Sequence, residues 1–181
     1  DGDDVVDSLD AFPLDSSQTT DRDGDGFGDS PSGNQSDNFP DDSTQWEDAD
    51  QDGFGDNPQG NNPDLFPSNP DQHQDTDGDG YGDASYGQDG DSFPDDSTQW
   101  ADTDGDGFGD NLEGTDPDAC PEISGSSTED RLGCSDLDGD GWSDEGDAFS
   151  SEPTQWMDTD GDGYGDAQQG FRGDGCANEA G

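Results

Sequence analysis

Lysine is absent from this sequence. Three arginines and one histidine face 51 aspartates and glutamates, leaving a formal net charge of -48 at pH 7. That charge excludes nucleic acid and anionic membrane as partners, because both would be repelled. Apolar residues are scarce too, at 21%, so burial cannot offset the conformational entropy of folding in the usual way. No apolar run approaches membrane-spanning length, and no signal-peptide pattern is present. A nucleophile–base set is missing, and no two-carboxylate glycosidase pair can be singled out among so many acids, so an enzyme is not expected. Composition alone describes a disordered acidic polymer. The alternative is that something outside the sequence supplies the cohesion.

What is present is periodic. Acidic runs recur as DRDGDGFGD from Asp21, DADQDGFGD from Asp48, DTDGDGYGD from Asp75, DTDGDGFGD from Asp102, DLDGDGWSD from Asp136 and DTDGDGYGD from Asp158. A truncated copy opens the chain at Asp1, entering the pattern at its second aspartate. Each run is followed by an aspartate standing just before an aromatic residue or a cysteine: Asp37, Asp64, Asp91, Asp118, Asp147 and Asp174, with Asp10 in the truncated copy. This pre-aromatic aspartate lies 16 residues after the run's first aspartate in five repeats and 11 in the repeat from Asp136. The next run begins 11 residues later, or 18 after Asp118. A disordered acidic tail has no reason to hold such a register, so a folded array is expected. Its units are approximately 1–20, 21–47, 48–74, 75–101, 102–135, 136–157 and 158–181. Because the chain opens and closes inside repeats, it is expected to be a piece of a longer array.

Aspartates at positions 1, 3 and 5, glycine at 6 and further carboxylates at 9 and 12 have the spacing of a calcium loop. Position 1 is Asp21, Asp48, Asp75, Asp102, Asp136 or Asp158; position 3 is Asp23, Asp50, Asp77, Asp104, Asp138 or Asp160. Position 5 is Asp25, Asp52, Asp79, Asp106, Asp140 or Asp162, and position 9 is Asp29, Asp56, Asp83, Asp110, Asp144 or Asp166. Asp1, Asp3, Asp7 and Asp10 supply the truncated copy. Alternating aspartates turn three carboxylates toward one centre. The glycine allows the sharp turn that aims the next carbonyl inward, here that of Phe27, Phe54, Tyr81, Phe108, Trp142 or Tyr164. Of the six complete runs, only that from Asp136 puts an aspartate at literal position 12, as the truncated copy does with Asp10. In the longer repeats that place holds Ser32, Gln59, Tyr86, Glu113 or Gln169. Five extra residues are therefore expected to bulge out, each around a glycine, so that the pre-aromatic aspartate completes the shell. On this count 34 of the 51 acids are ligands, which leaves little of the charge as solvated surface. Magnesium demands a tighter octahedron and keeps its waters, and zinc is a poor match to one histidine and three cysteines.

EF-hands and dockerins share this aspartate spacing, but their loops join amphipathic helices. The flanks here are Gly, Pro, Asn and Ser with no helical period, and the nine-residue glycine period of RTX repeats is absent. Asn69-Pro-Asp-Gln72 followed by Asp75-Thr-Asp-Gly-Asp-Gly-Tyr-Gly-Asp83 resembles the thrombospondin type 3 repeat, with one more residue between the glutamine and the aspartates. The likeness covers nearly the whole chain, and the Cys120…Cys134 unit looks like the prokaryotic surface-protein version. The resemblance implies a chain wrapped around a core of calcium ions in an extracellular adhesion or spacer protein. The five-residue inserts, and phenylalanine in place of most cysteines, depart from the vertebrate pattern.

Between the runs, Gln18, Gln45, Gln72, Gln99 and Gln155 each follow an acid or asparagine by three residues. This spacing reads either as a capping box opening one short helical turn or as ligands of an additional calcium. Phe12, Phe39, Phe66, Phe93 and Phe149, with Trp46, Trp100 and Trp156, are expected to form one apolar staple per unit; carbohydrate stacking by the tryptophans is the rival reading. His73 stands at a tryptophan position and reads as a substitution. Cys120 and Cys134 flank the longest connection, so a disulfide within that unit and an oxidising setting are expected. The partner of Cys176 is expected beyond Gly181. Asn34-Gln-Ser36 is the one glycosylation sequon, placing a possible glycan at Asn34. Arg172-Gly-Asp174 spells an integrin-binding tripeptide, but Asp174 is already required by the metal pattern.

The expected fold is irregular, with little regular secondary structure: an elongated array of calcium-wrapped repeats with short helical turns. The expected function is an extracellular or cell-surface calcium-binding structural element, a rigidified spacer or fibre element in adhesion or matrix, holding at least about one Ca2+ per repeat. Its partners are calcium ions, neighbouring repeats or other copies of itself, and surface glycans or matrix proteins. Rival readings are a self-assembling extracellular filament subunit and a calcium reservoir or mineral-binding polyanion.

Overall fold

Glycine, proline and alternating aspartates leave no stretch able to sustain a helical or pleated period. The computed structural model describes residues 1–179. Among these there is no helix, and strand pairing is confined to isolated parallel bridges such as Gly28–Ser36, Gly55–Pro63 and Gly109–Pro117. The fold is irregular. The backbone forms two compact units, Asp1–Pro94 and Asp95–Gly181, and the same local devices recur within each.

The interior is polar. Among the described residues, Cys134 is the one buried apolar side chain; the other buried side chains are glutamines, aspartates and two serines. Gln18, Gln45, Gln72, Gln99 and Gln155 are each at most 2% exposed. Every one has its carboxamide saturated. In the first unit, Gln45 Oε1 accepts the Asn57 N–H at 2.9 Å, while Nε2 donates to the carbonyls of Asn57 and Asn61, each at 3.1 Å. Gln18 makes the same set to Ser30 and Asn34. In the second unit, Gln99 does so to Asn111 and Thr115, and Gln155 to Ala167 and Phe171. Gln72 varies the pattern, reaching the carbonyls of Ala84 and Tyr86. The five-residue insert is thus a loop closed by one buried side chain.

The glutamine spacing forms a single turn. The segments Asp15–Gln18 and Asp42–Gln45 are single hydrogen-bonded turns, with the glutamine N–H on the acid's carbonyl at 3.0 and 2.9 Å, in place of the expected helical turns. Asp15 and Asp42 cap the residue two positions on, accepting both the N–H and the hydroxyl of Ser17 and Thr44. The reciprocal bond of a capping box is not made, because the glutamine carboxamide turns away into the insert.

Candidate metal centres

Each run is a tight loop held by its first aspartate. Asp21 accepts the Gly24 N–H at Oδ1 and the Gly26 N–H at Oδ2, at 2.7 and 3.1 Å. Asp48, Asp75, Asp102, Asp136 and Asp158 repeat the arrangement. Position 6 turns through the left-handed region, with φ +95° at Gly26, +94° at Gly53 and +99° at Gly141, where a Cβ is disfavoured.

Positions 3 and 5 and the pre-aromatic aspartate share a second device. In each, one oxygen accepts the N–H two residues on: Asp23 from Asp25, Asp25 from Phe27, Asp37 from Phe39. In Asp23, Asp25 and Asp37 the other oxygen is left buried with no hydrogen-bond partner. The same holds for Asp3, Asp50, Asp64, Asp77, Asp79, Asp104, Asp118, Asp138, Asp140, Asp160 and Asp174. Buried, unpartnered carboxylate oxygens are costly unless a cation meets them. They also converge. In Asp21/Asp23/Asp25, Asp48/Asp50/Asp52, Asp75/Asp77/Asp79 and Asp102/Asp104/Asp106, one oxygen from each residue lies within 4.8 Å of the others. In the truncated copy the group is Asp1, Asp3 and Asp10, which brings a pre-aromatic aspartate directly to its run.

Five further pre-aromatic aspartates feel the charges of their own runs. Burial, offset partly by the Phe39 N–H, holds the Asp37 carboxyl above its ordinary range, and the charges of Asp25, Asp23 and Asp29 add to the rise. Asp64, Asp91, Asp118 and Asp147 are raised by burial and then by the carboxylates of their own runs. Asp37, Asp64, Asp91 and Asp118 are at most 4% exposed. The insert bulges and returns, with the Asp37 N–H on the Gly28 carbonyl and its counterparts in the other long repeats, while the residues at literal position 12 are exposed.

Position 9 behaves differently. Asp29, Asp56, Asp83, Asp110, Asp144 and Asp166 stand outside the named triplets and accept the position 2 N–H, from Arg22, Ala49, Thr76, Thr103, Leu137 and Thr159. In three repeats the position 2 threonine hydroxyl takes the second oxygen as well. Asp7 is exposed and lies outside the Asp1, Asp3 and Asp10 group. Among the described residues, no hydrogen bond ends on the position 7 carbonyls of Phe27, Phe54, Phe108, Trp142 or Tyr164, which leaves those oxygens free for a cation.

The longest connection folds onto its own cluster. Cys120 and Cys134 are joined as a disulfide, and the enclosed Gly125 N–H donates to Asp106 Oδ2 at 2.9 Å. Asn34 is exposed on its insert, with Nδ2 directed to the Asp15 carboxylate at 3.2 Å. Cys176 is exposed and unpaired.

The aromatic pairing differs from the sequence expectation. Trp46 stacks on the position 7 ring of Phe27, centroids 4.9 Å apart, rather than on Phe39. His73 stacks on Phe54 at 3.6 Å and Trp156 on Trp142 at 6.4 Å. The residue two before the next run thus covers the ring that follows position 6, and His73 does so in a tryptophan's place.

The donor set is all oxygen, anionic and preorganised by backbone N–H groups, which suits a hard divalent cation and repels anions. Three carboxylates, a pre-aromatic carboxylate and one carbonyl approach the six to eight oxygens calcium takes, a bidentate carboxylate or water supplying the rest. No family model matches the sequence, and no curated protein is significantly similar to it. No helix among the described residues is long and apolar enough to cross a membrane.

Proposed function

We propose that the chain is an extracellular calcium-binding structural repeat protein of the thrombospondin type 3 kind, acting as a calcium-rigidified spacer or fibre element in surface adhesion or matrix. One observation carries this reading: buried carboxylate oxygens without hydrogen-bond partners, such as Oδ2 of Asp23, Asp25, Asp50, Asp77, Asp79 and Asp104, recur in runs whose aspartates cluster. Calcium bound there acts as the core that the sequence lacks. Ion binding is then folding free energy, and neighbouring repeats build an elongated array.

The test is a calcium titration of the chelator-stripped chain, followed by small-angle scattering and tryptophan fluorescence. The expected result is saturable ordering from an expanded coil to a fixed shape, with at least about one ion per repeat, at roughly 10⁻⁴–10⁻³ M as extracellular modules bind. A smooth, salt-like response without ordering would replace this reading with a polyanionic reservoir. End-to-end association that persists on dilution would make it a filament subunit.

A further inference from the structure

The repeats vary in a correlated way. Five have seven residues between the position 9 and pre-aromatic aspartates, and each is preceded, three residues before its run, by Gln18, Gln45, Gln72, Gln99 or Gln155. Position 8 in these five is Gly28, Gly55, Gly82, Gly109 or Gly165. The repeat from Asp136 has only Glu145 and Gly146 in the stretch, Gly133 where the glutamine would be, and Ser143 at position 8.

Geometry explains the correlation. A Cβ on Gly55 would lie 2.2 Å from Gln45 Oε1, and one on Gly60 would lie 2.4 Å from Nε2 and from the Thr44 carbonyl. Both glycines leave room for the same side chain. Gln45 holds the stretch at Asn57 and Asn61, its first and fifth residues. Three residues beyond Asn61 comes Asp64, whose N–H bonds the Gly55 carbonyl at 2.8 Å and whose Oδ2 is buried and unpartnered. Where the stretch is short, Ser143 is held instead by the Asp130 carboxylate, through its N–H and its hydroxyl, each at 2.8 Å.

We infer that these glutamines are positioning residues for the metal shell of the following repeat. By closing the insert, Gln45 sets where the Asp64 carboxylate stands relative to Asp48, Asp50 and Asp52, so each long repeat's shell is completed by the repeat before it. This rests on the calcium reading above. Outer-shell partners that orient ligands are worth about 10–100-fold in metal affinity.

The test compares the full chain with Gln45→Ala, Gln45→Met and Gln59→Ala, counting calcium by native mass spectrometry and measuring affinities by calorimetry. Gln59 lies in the same insert but is exposed. Gln45→Ala and Gln45→Met are expected to weaken one ion at least about tenfold while the remaining ions bind as in the parent chain, and Gln59→Ala to match the parent. If Gln45→Met binds like the parent, the glutamine only fills space and the inference fails. Loss of every ion together in Gln45→Ala would also overturn it, since the assignment is local to one repeat. Failure of the parent chain to bind calcium would instead sink the calcium reading itself.

Discussion

The residues that decide this molecule are those a hydrophobic core would exclude. An aspartate with one oxygen bound to a backbone N–H and the other bare is poised rather than satisfied. Within the folded repeat its orientation is set by the loop, so the bare oxygen is preorganised for the ion. Gly53 at φ +94° is the hinge of that preorganisation. Gly53→Ala is expected to destabilise the calcium-loaded repeat by about 1–3 kcal/mol and weaken one ion, read by calorimetric titration. The charge state follows from the same crowding. The carboxyls of Asp37, Asp64, Asp91, Asp118 and Asp147 are raised by burial and by neighbouring carboxylates. A raised value means the folded, metal-free chain holds protons more tightly than the unfolded one. Ionisation therefore opposes folding above the folded-state values, and this opposition fades as pH falls through them. Calcium takes the ionised form, so adding it at mildly acidic pH should release protons. A pH-stat trace showing none would contradict ligation by these residues.

At the scale of elements, the repeat is a sum of turns, each closed by a named contact. Much of it was legible in the sequence. Glycine at position 6 announced a left-handed turn, and the constant offset to the pre-aromatic aspartate announced that the chain returns to its run. Both are local consequences of spacing. Which aromatic covers which ring was not legible, because Phe39 and Phe27 are equally apolar and only the path of the insert selects Phe27. The glutamine's role was present in the sequence as a correlation among insert length, glutamine and the position 8 glycine, but a capping-box spacing hid it. Trp46 over Phe27 offers a reporter of the correct pairing. Phe27→Ala is expected to change Trp46 emission and cost about 1 kcal/mol beyond lost burial, whereas Phe39→Ala should leave that emission nearly unchanged. The opposite pattern would restore the pairing suggested by sequence.

At the scale of the whole molecule, a chain with 51 acids and three arginines is ordered around carboxylates and carboxamides. Exposed apolar residues such as Leu14, Leu112 and Leu137 show that hydrophobic sorting plays little part. The heat capacity of unfolding follows newly hydrated apolar surface, and polar surface lowers it. With Cys134 the one apolar side chain buried among the described residues, the calcium-loaded chain should unfold with a heat-capacity increment well below the roughly 12–15 cal/mol/K per residue of globular proteins. Scanning calorimetry at fixed free calcium would show it, and a value in the ordinary range would mean apolar burial elsewhere. A small increment flattens the stability curve, so cooling gives no route to denaturation and warming erodes stability slowly. Temperature then becomes a weak variable for this protein, and the ion activity of its surroundings the strong one.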